Sequence, residues 1–166
     1  KKYFNWKGIN IEPNPQSFTL FEKNRKDDIN LNLGIASESG ELEYFMFSDP
    51  LYNTFDQQRV KELNAKGMKT EAKKVIEVKR LSEVLEQHLK GNKIDFLNVD
   101  VEMLDLEVLK SIDWNKTKPR VIAVEDHDMR LESFSDSPSF SFLKSNGYRF
   151  ESKCHFTTIY RLIQDE

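Results

Sequence analysis

The stretch that decides the fold is IDFLNVDV, Ile94 to Val101, taken together with PRVIAVE, Pro119 to Glu125. The first is rich in apolar residues and predicts a strand of the buried type, and the second contains the run Val121–Val124, which is typical of a strand covered on both faces. Between them, apolar residues at helical spacing predict a helix with one buried side, formed by Leu104, Val108, Leu109 and Ile112. A strand, a helix and a strand in this order favour a parallel pair with a helical crossover.

The sequence before this unit continues the alternation of strands and helices. Alternating or apolar segments predict strands at Lys7–Glu12, Asn30–Ala36 and Lys74–Lys79, with helices after Pro15 and near Ser82. Glu41–Phe47 is predicted as an additional strand, hairpinned onto its predecessor. From Asp49 to Lys74 the pattern loosens, and we interpret this stretch as a surface excursion or lid with a polar helix at Gln57–Lys66.

The C-terminal part carries the clearest local signals. Ser137 and Pro138 suit the N-cap and first position of a helix, and Gly147 suits its end. The final strands, Tyr148–His155 and Thr157–Ile163, have almost no loop between them and must therefore be antiparallel. The sequence thus predicts one α/β domain over residues 1–166, with a mostly parallel sheet and an antiparallel C-terminal hairpin.

Composition excludes several classes of function. The chain has 166 residues and a formal charge of -3, so no broad basic surface predicts a nucleic-acid partner. Cys154 is its only cysteine, which excludes an internal disulfide framework and a four-thiolate metal site and favours the cytoplasm. No apolar run reaches the roughly 20 residues of a membrane span, so no membrane partner is expected. No feature of the sequence indicates the oligomeric state.

Acidic or small residues follow the predicted strands. They are Glu12, Ala36 with Ser37, Asp100 with Glu102, and Glu125. In open α/β sheets, ligands bind beyond the carboxyl ends of the strands. A carboxylate there can accept hydrogen bonds from ribose or substrate hydroxyls.

These carboxylates also have structural explanations, which stay open at this point. Glu12 could be a solvated strand end, and Asp100 with Glu102 could cap the following helix and place charge in its first turn. The group Glu125–Asp128, EDHD, could bind a divalent cation through oxygen or form a loop of solvated charges.

Three motifs, in order, resemble the FkbM-type family of S-adenosylmethionine-dependent methyltransferases. They are WKGINIEPNP (Trp6–Pro15), DFLNVDVEMLDLEVL (Asp95–Leu109) and PRVIAVE (Pro119–Glu125). The resemblance implies a Rossmann-like class I methyltransferase sheet whose final strand is antiparallel, and S-adenosylmethionine as cofactor. It implies a cofactor side made of Glu12, Asn14, Ala36 and Ser37, and a reaction side made of Asp100, Glu102 and Glu125.

Within this resemblance, Glu12 would hold the ribose hydroxyls, and Ala36 and Ser37 would lie near the adenine. Asp100 or Glu102 would face the methyl group and act as general base. Alternatively, Asp100 and Glu125 could hold a divalent metal, and the need for one stays undecided.

Two departures from the family pattern bear on activity. Met103 stands where the family's fourth-strand motif commonly has glycine, and the first strand and glycine-rich cofactor loop are absent before Lys1. We therefore expect this chain alone to bind S-adenosylmethionine weakly or not at all.

The function predicted from the sequence is O-methylation of a hydroxyl on a sugar or other small metabolite. The alternative is a non-catalytic binding or assembly module that retains the fold. A nucleotide-sugar enzyme on a similar sheet is disfavoured, because no phosphate-binding glycine loop follows a strand.

Overall fold

The computed structural model describes residues 5–101, 103–127 and 129–163. Glu102 of the predicted reaction side and Asp128 of the predicted cation group lie outside the described residues. The chain divides into two compact units, Lys1–His88 and Leu89–Glu166, and each is described by itself. In the part of the chain that is described, no helix combines the length and the apolar composition that crossing a bilayer requires.

The first unit mixes short strands with three helices among its described residues. In chain order its elements are β1 (Ile9–Ile11), α1 (Pro15–Asn24), β2 (Ile29–Leu31), β3 (Gly34–Ile35), β4 (Gly40–Phe47), a 3-10 turn (Pro50–Tyr52), α2 (Gln57–Ala65), β5 (Thr70–Lys79) and α3 (Leu81–Leu89). β1 and β2 form a parallel pair, and β3, β5 and β4 form a mixed sheet in that order.

The pairing of β4 corrects one expectation from the sequence. β4 does not form a hairpin with its predecessor but pairs antiparallel with β5, with Gly40 opposite Val78. β3 has only two residues, whereas β5 has ten and can satisfy the backbone of β4 along its length. The predicted single strand Asn30–Ala36 is also divided in two, and between its halves the side chain of Asn32 donates to the carbonyls of Glu12 and Pro13.

The stretch from Asp49 to Lys74, which was expected to be a loose surface segment, contains a helix that packs against β4. Its predicted polar helix is confirmed as α2, which begins after the N-cap Asp56. Val60 and Leu63 of this helix form a buried cluster with Phe45 and Phe47 of β4. Polar residues dominate α2, but its few apolar ones fall on the side that covers the sheet.

The second unit contains one four-stranded sheet among its described residues. Its elements are β6 (Phe96–Val99), α4 (Asp105–Lys110), β7 (Val121–Glu125), a 3-10 segment (Leu131–Asp136), α5 (Pro138–Ser145), β8 (Tyr148–Cys154) and β9 (Thr157–Leu162). The strand order is β6-β7-β9-β8, with β6 and β7 parallel and the other pairs antiparallel. The α/β class, the parallel strands and the antiparallel C-terminal hairpin are thus confirmed.

Local signals around α5 are confirmed in detail. The Ser137 hydroxyl accepts a hydrogen bond from the Phe140 N–H at 3.1 Å, and Pro138 occupies the first turn. Gly147 follows the helix at φ 90°, a left-handed conformation that glycine adopts without strain. Leu143 of this helix is fully buried, as are Ile122 and Tyr160 of the sheet. These buried side chains belong to the core of the second unit.

Candidate active site

The parallel register of β6 and β7 brings Asp100 and Glu125 together. Val99 lies opposite Val124, so the carboxyl ends of the two strands meet at one edge of the sheet. The carboxyl group of Asp100 lies close enough to that of Glu125 for the charge of Glu125 to raise the pKa of Asp100. The structure therefore contains a carboxyl pair at the position predicted for the reaction side.

The surroundings of Asp100 favour its protonated form. Partial burial raises the pKa of Asp100 above its usual value, and the charge and hydrogen bond of Glu125 raise it further. The nearby His127 acts in the opposite direction. The residue as a whole remains solvent-exposed, so a ligand can reach it. A reachable carboxylate with a raised pKa is a stronger base than an ordinary aspartate.

His127 is part of the same group. Its Nε2 atom lies 3.1 Å from Oε2 of Glu125. Its ring packs against Phe156, with the ring centroids 4.3 Å apart and the planes inclined by 39°. The sequence had suggested His127 only as part of a possible cation site, because nothing in the local pattern indicates that Phe156 returns to this edge.

Asp105 is a residue that the sequence analysis missed. It is the first residue of α4, is only 5% exposed, and its Oδ1 accepts a hydrogen bond from the Val101 N–H at 3.3 Å. Burial raises the pKa of Asp105 to about 7, and the charges of Glu125 and Asp100 contribute in the same direction. Its position in the first helical turn after Asp100 was the available signal, but such carboxylates are ordinarily solvated.

Asp126 has a structural role. It is buried, its Oδ1 accepts from the Met129 N–H at 3.0 Å, and its Oδ2 accepts from the Ser137 hydroxyl at 2.6 Å. Oδ1 therefore fixes the loop after β7 internally, and Oδ2 fastens this loop to the N-cap of α5. Among the residues that the structure describes, no three or more His, Cys, Asp or Glu side chains are arranged as a metal-ligand set. A requirement for a metal stays an untested prediction.

The predicted cofactor residues lie in the first unit. Glu12 directly follows β1, and its Oε1 accepts a hydrogen bond from the Asn14 N–H at 2.8 Å. Burial raises the pKa of Glu12, and the Asn14 bond offsets part of this effect. No hydrogen bond to its Oε2 comes from residues 5–101, 103–127 or 129–163. That oxygen is free to accept a hydroxyl.

The other predicted cofactor residues differ in their surroundings. Asn14 is 2% exposed, and its Oδ1 caps α1 by accepting from the Gln16 N–H at 3.0 Å. Ala36 follows β3 and donates its N–H to the Lys79 carbonyl, whereas Ser37 is exposed. Their roles toward a cofactor stay predictions.

The comparisons with known proteins agree with these motifs. The family model described as the methyltransferase FkbM domain matches residues 1–150. The chain is also similar to the methyltransferase sdnD of Sordaria araneosa, with 30% identity over 139 residues that cover 68% of this chain and 54% of that protein. The chain thus spans about half the length of this curated relative. No solved structure matches it. The chain therefore belongs to the FkbM methyltransferase family.

Proposed function

We propose that the protein is an S-adenosylmethionine-dependent methyltransferase that methylates a hydroxyl of a sugar or another small metabolite. The observation that carries this proposal is the pair of neighbouring carboxyl groups, Asp100 and Glu125, at the edge of β6 and β7. Membership of a methyltransferase family supports methyl transfer in general. The carboxyl pair adds the group that an oxygen acceptor requires, because an alcohol must lose its proton as it is methylated.

S-adenosylmethionine, when bound, supplies an activated methyl group. The chain's own residues bind the acceptor hydroxyl and remove its proton. The ionised Asp100 side chain offers a carboxylate oxygen that is open to solvent and can accept a hydrogen bond from the hydroxyl. As the acceptor oxygen takes the methyl group, the methyl–sulfur bond would break and leave the neutral thioether, and the hydroxyl proton would move to this carboxylate. A positioned general base of this kind contributes about 10²–10⁴-fold to a rate.

The cofactor side is compatible with the same proposal. Glu12 is half-buried, and its Oε1 is fixed by the Asn14 N–H, whereas no described residue donates a hydrogen bond to its Oε2. A carboxylate held in this way fits a ribose hydroxyl, which donates to an oxygen already oriented by the backbone. Glu12 would hold the ribose at the end of β1, as expected of a Rossmann-like sheet.

The test uses the intact protein with methyl-labelled S-adenosylmethionine and a panel of saccharide and small hydroxyl acceptors. We expect Asp100→Asn and Glu125→Gln to lower kcat by roughly 10²-fold or more and to change KM for the cofactor little. Glu107→Gln is the matched control, since this glutamate is exposed on α4 and pairs only with Lys110 among the described residues. Full turnover in both pair variants would remove the carboxyl pair from the mechanism.

A second candidate is a non-catalytic module that retains the fold, and Met103 favours it. This residue stands at φ 79°, a left-handed conformation, and its side chain is 51% exposed beside the strand-to-helix turn. A side chain occupies the place that glycine would leave empty. Calorimetry with S-adenosylmethionine on the intact protein separates the two candidates. Micromolar binding would exclude the module, and no binding together with no transfer would exclude the enzyme.

A further inference from the structure

The turn between β8 and β9 is fastened to the segment that follows β7. The Asp126 N–H donates to the Phe156 carbonyl at 2.9 Å. The Lys153 ammonium donates to the Asp126 carbonyl at 2.7 Å and to the Phe156 carbonyl at 3.3 Å. These hydrogen bonds involve only the backbone carbonyl of Phe156, so they do not depend on its side chain.

The side chain of Phe156 contacts two imidazole rings. The ring centroid of His127 is 4.3 Å away and that of His155 is 3.9 Å away. Phe156 is nonetheless 38% exposed, so it contributes less to the core than a fully buried phenylalanine. Through His127 the contact reaches the carboxyl pair, because Nε2 of that imidazole lies 3.1 Å from Oε2 of Glu125.

We propose that the turn of the β8–β9 hairpin is a positioning element of the reaction centre, in which Phe156 holds the His127 imidazole against Glu125. This inference rests on the proposed function and deepens it. Phe156 touches no reacting atom, and it acts through His127.

The physical reason lies in the freedom of a carboxylate. The last torsion of a glutamate side chain is broad, so an unrestrained carboxylate samples many orientations. A hydrogen bond from a fixed imidazole N–H to Oε2 restricts that rotation and directs the second oxygen. Holding a reacting group in one geometry before the reaction lowers the barrier, and a small misplacement raises it.

The decisive variant is Phe156→Leu in the intact protein. It removes the ring but keeps the backbone bonds to Asp126 and Lys153. The chain has three histidines, so their ring signals can be resolved by long-range proton–nitrogen NMR, and His127→Gln identifies those of His127. We expect Phe156→Leu to abolish the ring-current shift of the His127 protons and to lower kcat at least about threefold, with KM for S-adenosylmethionine unchanged. Phe156→Tyr keeps an aromatic ring and should restore both.

Phe134→Leu is the matched control. Phe134 is 37% exposed in the same unit, but it packs on Phe140 and Phe150, with centroids 5.0 and 5.4 Å away. This variant should leave the His127 signals and kcat unchanged.

The two arms separate the inference from the proposed function. If Phe156→Leu leaves the ring nitrogen shifts of His127 or the kcat of methyl transfer as they are in the parent protein, the inference is wrong. If the intact protein transfers no methyl group, the proposed function fails, while the NMR arm still decides whether Phe156 positions His127.

Discussion

The Val101 N–H donates to Oδ1 of Asp105 at 3.3 Å, so the first residue of α4 holds the turn that follows Asp100. Asp105 is buried beside Asp100 and Glu125, whose charges both oppose its ionisation. Its protonated form therefore suits this environment better than its carboxylate form.

We expect Asp105→Asn to stabilise the protein above neutral pH. The folded-state pKa of Asp105 is raised to about 7, above its usual 3.8. The stability that its protonated form contributes is present below the lower pKa and is lost as the pH rises through the higher one. Between pH 5 and pH 8 the free energy of unfolding of the parent protein should thus fall by about 2 kcal/mol, whereas that of the asparagine variant should not show this fall.

Urea unfolding at the two pH values measures this difference. Asparagine keeps an oxygen that can accept from Val101, so the comparison isolates ionisation. Glu107→Gln, on the same helix but exposed, should show no such pH-dependent gain. If the asparagine variant and the parent protein have the same free energy of unfolding at each pH value, Asp105 is not a buried carboxyl group that titrates in this range.

Met103→Gly should stabilise the protein. Met103 stands at φ 79°, where a side chain costs roughly 1–2 kcal/mol and glycine costs little, although glycine loses more entropy on folding. We expect a net gain of about 0.5–1 kcal/mol in the free energy of unfolding, measured from denaturant midpoints. Met103→Leu should be neutral, since it keeps the same steric conflict. If Met103→Gly is less stable than Met103→Leu, position 103 does not have a left-handed backbone conformation.

Ser137→Ala should cost roughly 2–3 kcal/mol of stability. The hydroxyl of Ser137 both caps α5 through the Phe140 N–H and donates to the buried carboxylate of Asp126. Its loss exposes a helix end and leaves a buried carboxylate oxygen without its donor. Ser135→Ala, at an exposed neighbour, should fall within about 0.5 kcal/mol of the parent protein. Thermal unfolding measures the stability of both variants. Equal losses of stability in Ser137→Ala and Ser135→Ala would show that the hydrogen bonds of Ser137 add no stability.

Leu63→Ala should cost about 2–5 kcal/mol, because Leu63 is 1% exposed and packs on Phe45 and Phe47. Leu51→Ala, at a leucine that is 70% exposed, should change stability by no more than about 0.5 kcal/mol. Denaturant unfolding of the two variants tests whether α2 is a packed element. If Leu63→Ala changes the free energy of unfolding negligibly, the stretch from Asp49 to Lys74 is a loose surface segment, as the sequence predicted.

Much of the local structure could be predicted from neighbouring residues. Ser137, Pro138 and Gly147 fixed the ends of α5, because capping depends on side chains within one turn. The apolar residues before Asp100 predicted β6, and the apolar run before Glu125 predicted β7. The short connection before Thr157 required an antiparallel hairpin.

The sequence could not predict which polar groups are buried or which partners they find. Asp105 resembles a solvated first-turn carboxylate, and Asp126 resembles a metal ligand as much as a loop anchor. Burial of Asp105 and the bond from Ser137 to Asp126 depend on how helices α4 and α5 lie on the sheet.

By itself, the sequence determined that this chain is an α/β protein with carboxylates at the ends of its strands, because strand, helix and cap preferences act over a few adjacent residues. Only the tertiary structure decided that β4 pairs with β5, that Asp100 lies beside Glu125, and that Phe156 returns to His127. Each of these contacts joins residues distant in sequence, and their free energy comes from burial and shared hydrogen bonds that exist only once the chain has folded.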